Sequence, residues 1–195
     1  FISYKDMLWY QWKNCKTLIM KKLFLLMFAI ILLSCSQENE LNEDAEIKKI
    51  LNSDSTFTIE DFKKIGFKIN KEYDITELDE STGAWFGFWK NNLNKPIDYE
   101  LRFYPSQQTA IDKGVSLTEE VIGEDAVLKK STSSWKEGIQ DRRSRNNSSM
   151  SGSEANSVRA KYLDYFINGN VIILCSGLDL NYATQNCSEL SSKIE

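Results

Sequence analysis

Asn168-Gly169 sits between two apolar runs, Tyr162–Ile167 and Asn170–Cys175. Asn-Gly in that setting favours a two-residue hairpin with a type I′ turn, whose central residues both need positive φ. Val171–Leu174 is apolar without interruption, so this strand is expected at the centre of a sheet, covered on both faces. Downstream, Leu180, Ala183, Cys187, Leu190 and Ile194 form an i, i+3, i+7 stripe, the pattern of a terminal amphipathic helix.

The preceding chain alternates turn signals and apolar segments. Thr58 and Asp61 are spaced as a helix amino-terminal capping pair, Phe62 and Ile65 give a short apolar face, and Gly66 fits the position past the helix end. Residues 67–78 read as extended. Residues 79–83 carry turn chemistry, and 84–89 are rich in strand formers. Ile97, Tyr99, Leu101 and Phe103 alternate with Asp98, Glu100, Arg102 and Tyr104, so this strand should bury one face. Ser106 is placed to cap a helix over 107–122, in which Gly114 marks either close packing on a sheet or a kink. Val127-Leu128 reads as a short strand, and the segment around Trp135 and Ile139 suits helix and loop equally. Residues 142–157 are dominated by Ser, Asn, Arg and Gly and read as a long flexible loop. The expected fold is a single α+β domain over 55–195. It has two layers, a mainly antiparallel sheet with the two longer helices on one face.

Residues upstream of that domain carry a different signal. Lys21 and Lys22 precede eleven apolar residues, Leu23–Leu33, and then Ser34 and Cys35. Crossing a bilayer as a helix takes roughly 20 apolar residues, so this run suits a cleavable export signal beginning at Met20. A signal anchor that is never cut is the alternative. Leu32-Leu33-Ser34-Cys35 resembles the lipobox of bacterial lipoproteins. The resemblance covers Met20 to Cys35. It implies a signal peptide over 20–34, a diacylglycerol on the Cys35 sulfur, and a mature chain anchored to the cell envelope on its periplasmic side. Aspartate after the cysteine marks inner-membrane retention in enteric-type lipoproteins, so Ser36 points to the outer membrane. Residues 1–19 then read as upstream sequence, with a genuine amino-terminal extension as the alternative. Residues 35–54, rich in Glu and Asp, read as a flexible tether, with Ile47, Ile50 and Leu51 as one possible helical turn. Tyr99-x-Leu101-Arg102-Phe103-Tyr104-Pro105-Ser106, the helix after it and the Cys-ending hairpin also resemble families of small bacterial lipoproteins. No function travels with that resemblance.

Charge and missing chemistry narrow the function classes. The chain carries −4 formally; residues 1–34 hold five lysines and one aspartate, so the remainder carries −8. An acidic domain does not seek phosphate backbones, which argues against nucleic acid as a partner. There is no histidine. That removes the commonest general base, the commonest zinc ligand and every Ser-His or Cys-His nucleophile. No metal site or cofactor is expected. With Cys15 upstream and Cys35 as the lipid site, Cys175 and Cys187 remain. In an exported protein they are expected to pair and stabilise the fold by roughly 3 kcal/mol.

Three clusters are candidate sites. Trp85 and Trp89 share one strand face with Gly87 between them, a slot for a flat ligand such as a sugar; the alternative is a strand buried on both faces. Arg142, Arg143 and Arg145 are a candidate anion pocket, since guanidinium groups bind carboxylate and phosphate by paired hydrogen bonds. Ser133-x-x-Lys136 matches the Ser-x-x-Lys of penicillin-recognising enzymes without their companion motifs, and Glu119, Glu120, Glu124 and Asp125 are acids at a helix end. The resulting expectation is a non-catalytic, lipid-anchored module that holds an envelope protein or cell-wall component. A small-ligand (sugar or anion) binding lipoprotein is second, and a histidine-independent enzyme third.

Overall fold

The apolar hairpin lies at the centre of a six-stranded sheet in the computed structural model, which describes residues 48–51, 54–145 and 158–194. In chain order the elements are β1 (Ile50–Leu51), α1 (Ile59–Lys64), β2 (Lys68–Glu72), β3 (Gly83–Lys90) and β4 (Pro96–Phe103). They continue with helix α2 over 107–119, whose segment Ala110–Gly114 is π-wound, then β5 (Arg143–Arg145), β6 (Val158–Ala160), β7 (Tyr162–Asn168), β8 (Val171–Ser176) and α3 (Leu180–Ser191). The sheet order is β1-β7-β8-β4-β3-β2, with β5 and β6 forming a separate pair. Every neighbouring pair in the large sheet is antiparallel except β1 with β7.

The α+β class and the mainly antiparallel sheet match the expectation. The layering differs: the two longer helices lie on opposite faces. α3 packs with α1 over Tyr99, Leu101, Phe103, Phe166, Val171, Ile173 and Cys175. α2 packs on the other face over Tyr104, Ile167, Ile172 and Leu174. β8 is the reason, because its unbroken apolar run leaves side chains on both faces that need cover. At Gly114 the close approach is explicit. A β-carbon there would stand 2.4 Å from Ile172 Cδ1 and 2.6 Å from the Tyr104 hydroxyl. The glycine therefore both seats α2 on the sheet and ends its π-wound turn.

The hairpin turn is displaced by one residue. Asn168 pairs with Val171, so the loop is Gly169-Asn170. Gly169 has φ 53° and Asn170 has no positive φ, the II′ pattern with glycine first rather than the I′ pattern of Asn-Gly. Asn170 has another task. Its side chain accepts from Phe57 N–H at 2.6 Å and donates to the carbonyls of Phe57 and Tyr104 at 3.1 and 2.9 Å.

Other local expectations divide. Thr58 donates its backbone N–H and its hydroxyl to the Asp61 carboxylate, each at 2.9 Å, and Gly66 takes φ 91° beyond α1. Ser106 Oγ accepts from Thr109 N–H at 3.1 Å. Cys175 and Cys187 form a disulfide, Cα–Cα 5.6 Å, tying α3 to the end of β8. Of residues 67–78 only 68–72 are strand, and 127–128 form none. Ile50-Leu51, expected in the tether, is an edge strand parallel to β7, held where Lys49 Nζ meets the buried Asp164 carboxylate at 2.6 Å. The loop expected at 142–157 begins as β5 paired with β6, so that expectation is corrected for 143–145; residues 146–157 lie outside the described ones.

Candidate functional site

Trp85 and Trp89 do share a face of β3, and that face points into the core. Trp89 is buried, its indole N–H donating to the Ile65 carbonyl at 3.0 Å. Trp85 is partly buried against Phe103, with ring centroids 5.3 Å apart at 81°. The slot expected at Gly87 is occupied: a β-carbon there would lie 2.6 Å from the Phe67 ring and 2.3 Å from the Lys68 carbonyl oxygen. The stacking platform is thus corrected to a core strand, because β2 closes over β3 at the glycine.

The arginines are separated as well. Arg142 is fully buried. Its Nε and Nη2 donate to the two carboxylate oxygens of buried Glu100 at 2.8 and 2.9 Å. Arg102, also fully buried, donates Nε to Glu100 Oε1 at 2.7 Å and Nη1 to Thr118 Oγ1 at 3.2 Å. Trp135 faces both guanidiniums, whose carbons lie 4.4 Å (Arg142) and 4.9 Å (Arg102) from its ring centroid. Burial pushes the Glu100 carboxyl up, but Arg142 and Arg102 overcome this and hold it below the usual carboxylate range. Arg143 Nε donates to the Leu128 carbonyl at 2.8 Å and Nη1 to Gln140 at 3.1 Å. Arg145 closes β5 opposite Val158. The three-arginine anion pocket is therefore replaced by a buried Arg–Glu–Arg triad and a backbone clasp.

Sequence reasoning overlooked Glu100, Arg102 and Trp135. Glu100 and Arg102 occupy the polar half of an alternating strand, which normally marks a solvent face. Here that half lies under α2 and the segment carrying Trp135. The signal available was the pairing of opposite charges at i and i+2 on one face.

Ser133 and Lys136 serve separate structures: the Ser133 hydroxyl donates to the Trp135 carbonyl at 2.9 Å, and exposed Lys136 stands 3.7 Å from Glu77. Glu119 accepts from the Tyr165 hydroxyl at 3.1 Å, and Glu120 from Ser134 N–H at 2.7 Å. Burial and Glu119 push the Tyr165 phenol up to about 12. Among the described residues no group of three or more Cys, Asp or Glu stands where it would hold a metal, and no helix is long and apolar enough to cross a membrane. Cys35 lies outside the described residues.

Among the described residues a cleft of about 430 Å³ opens where β4 starts and β8 ends. Pro96, Ile97 and Asp98 form one wall, Arg159 and Lys161 a second, and the turn with Leu178, together with Tyr182 of α3, the third. Lys161 Nζ meets Asp98 at 2.9 Å and sits 4.5 Å from the Phe86 ring centroid. Leu178 is 77 % exposed. The Asn91 side-chain amide donates to the Tyr182 hydroxyl at 3.2 Å, bringing the β3–β4 turn with exposed Leu93 to the same end of the sheet. This end combines basic side chains with exposed apolar ones, a composition suited to holding a ligand or partner.

Residues 58–195 match the family described as "Family of unknown function (DUF6810)", so the chain belongs to that family. No curated protein and no solved structure matches it.

Proposed function

We propose that this member of the DUF6810 family is a lipid-anchored cell-envelope protein that acts by binding rather than by catalysis. Its lipid sits on Cys35, and its open sheet end meets an envelope protein or cell-wall component. The membrane half of this reading rests on the basic pair, the eleven-residue apolar run and the lipobox-like Leu32–Cys35. The binding half rests on one contrast in the fold. The strongest ionic chemistry, Glu100 with Arg102 and Arg142, is sealed inside and committed to itself. The accessible end carries exposed Leu93, Leu178 and cations, with a single carboxylate, Asp98, among the described residues that line the cleft. A buried triad whose groups are committed to one another holds structure; it does not exchange protons with a substrate.

The test is cross-linking of the full lipoprotein in intact cells, followed by mass spectrometry of what is captured. One reproducible envelope component, lost on Leu178→Asp, is the expected result. Unchanged capture by that variant would remove the assigned surface. The small-ligand reading is second, favoured by the cleft beside Arg159.

A further inference from the structure

We infer that the cleft beside Arg159 is a binding site for a small ligand that carries one carboxylate next to an apolar group. This rests on the small-ligand reading above and not on the lipid at Cys35.

Three cations line the cleft, Lys95, Arg159 and Lys161, against a single carboxylate, Asp98. Lys161 takes that carboxylate at 2.9 Å. Neither Lys95 nor Arg159 makes an ion pair among the described residues. Arg159 is constrained further. Its Nε is buried and meets no acceptor among the described residues. A buried donor without a partner costs free energy comparable to a lost hydrogen bond, and a guanidinium fork is shaped for the two oxygens of a carboxylate. Elsewhere in this protein the same geometry is satisfied internally, as Arg142 shows on Glu100. At Arg159 no described residue supplies the matching acceptor, which leaves the group open to a ligand.

The neighbouring walls define the rest of the ligand. Pro96, Ile97 and Leu178 give an apolar surface next to the guanidinium. Leu178 sits on the turn between β8 and α3 and exposes 77 % of its surface, so an apolar group can cover it without displacing packed residues. The volume, about 430 Å³, lies within the range of small-molecule sites and exceeds what a bare inorganic anion fills. The Arg159 position is fixed by the β5–β6 pairing, where Arg159 stands opposite Ser144, another lining residue. Two residues on, Lys161 continues the same side of the chain, and its contact with Asp98 joins the hairpin to β4.

The experiment titrates the purified full chain with three probes, N-acetyl-leucine, N-acetyl-leucinamide and inorganic phosphate, read by calorimetry and by backbone chemical shifts. N-acetyl-leucine is expected to bind saturably and shift residues 95–98, 159–161 and 176–182. The amide, which lacks the carboxylate, should bind roughly tenfold or more weakly, as should N-acetyl-leucine to Arg159→Gln, since a charge-assisted hydrogen bond is lost in each case. Leu178→Asp, at a side chain that carries no packing, should weaken N-acetyl-leucine by a comparable factor through repulsion. It decides the matter if Arg159→Gln fails to fold. Lys113→Ala, whose ammonium pairs with Asp79 away from the cleft, should bind as the unaltered chain does. Equal affinity for the amide, unchanged affinity in Leu178→Asp, shifts elsewhere, or binding of phosphate but not N-acetyl-leucine would each overturn the assignment. Cellular capture of an envelope partner together with any of those results would leave the binding-module reading standing while this one fails.

Discussion

Glu100 keeps two guanidiniums out of water, and its removal should be felt more than that of any surface acid. With the carboxylate gone, Arg102 and Arg142 remain buried at full charge beside Trp135, Tyr73 and Thr118, without a counter-charge among the described residues. Breaking a buried pair from one side typically costs about 3–5 kcal/mol. Glu100→Gln is therefore expected to lower unfolding stability by about that amount in urea melts, and a change below about 1 kcal/mol would contradict the triad's structural role. The sign of the pH dependence follows from the direction of the shift. The folded carboxyl titrates below the usual glutamate value, so its contribution is fully present above that value, about 4.3, and is lost as pH falls through the folded value. Asp61 acts in the same direction. The Lys64 ammonium, then the Thr58 backbone and hydroxyl, hold it at about 2, so its contribution drains between about pH 4 and 2. It is exposed and screened, so its share stays below about 1 kcal/mol. Acid melts of Asp61→Asn should lose slightly less stability across that window than the unaltered chain does.

Gly87 is crowded by the Lys68 carbonyl and the Phe67 ring, and it offers a test of the filled slot. An alanine β-carbon would press on the Lys68 carbonyl and the Phe67 ring, so β2 would have to shift. Gly87→Ala is expected to cost about 1–3 kcal/mol in thermal or urea melts, whereas a ligand slot at this position would tolerate the methyl. At the other end of the sheet, replacing Cys175 and Cys187 together by serine should lower stability by about 3 kcal/mol, and reductant should reproduce the loss in the unaltered chain. Elements with a single strong local signal were legible: the apolar β8, the alternating β4, the Ser106 cap and the α3 stripe. Less legible were those settled by distant contacts. β1 is two residues long and exists because β7 offers an edge and Asp164 offers a charge. The hairpin register slipped by one residue because Asn170 is needed to bind Phe57 and Tyr104. Period-two alternation placed Glu100 and Arg102 on one face, but only the path of α2 and Trp135 makes that face an interior. Arg159 sits in a three-residue strand beside residues rich in Ser and Asn, where composition alone reads as loop.

At the scale of the whole molecule, a sheet with cover on both faces needs no membrane to bury its apolar surface. Its central strand is enclosed by α3 on one side and α2 on the other. Attachment at Cys35 would therefore change where the domain stands and leave its stability alone. From Cys35 to Lys49 is about 14 residues, which at full extension reach no more than about 50 Å. Anchoring itself would come from the acyl chains, at about 0.8 kcal/mol for each buried methylene, with two chains enough for stable attachment. Two consequences can be measured together. Cells fed a labelled fatty acid should incorporate it into the unaltered protein and not into Cys35→Ser, and the mature amino terminus should be residue 35. A signal anchor that is never cut would instead keep residues 20–34 and carry no label. Export behind a signal without a lipobox should release a soluble domain whose unfolding free energy agrees with that of the lipidated form within about 0.5 kcal/mol, the range for changes remote from packed residues. A larger difference would mean that the lipid or the segment beside it packs on the fold, and the separation of anchor from domain would then be wrong.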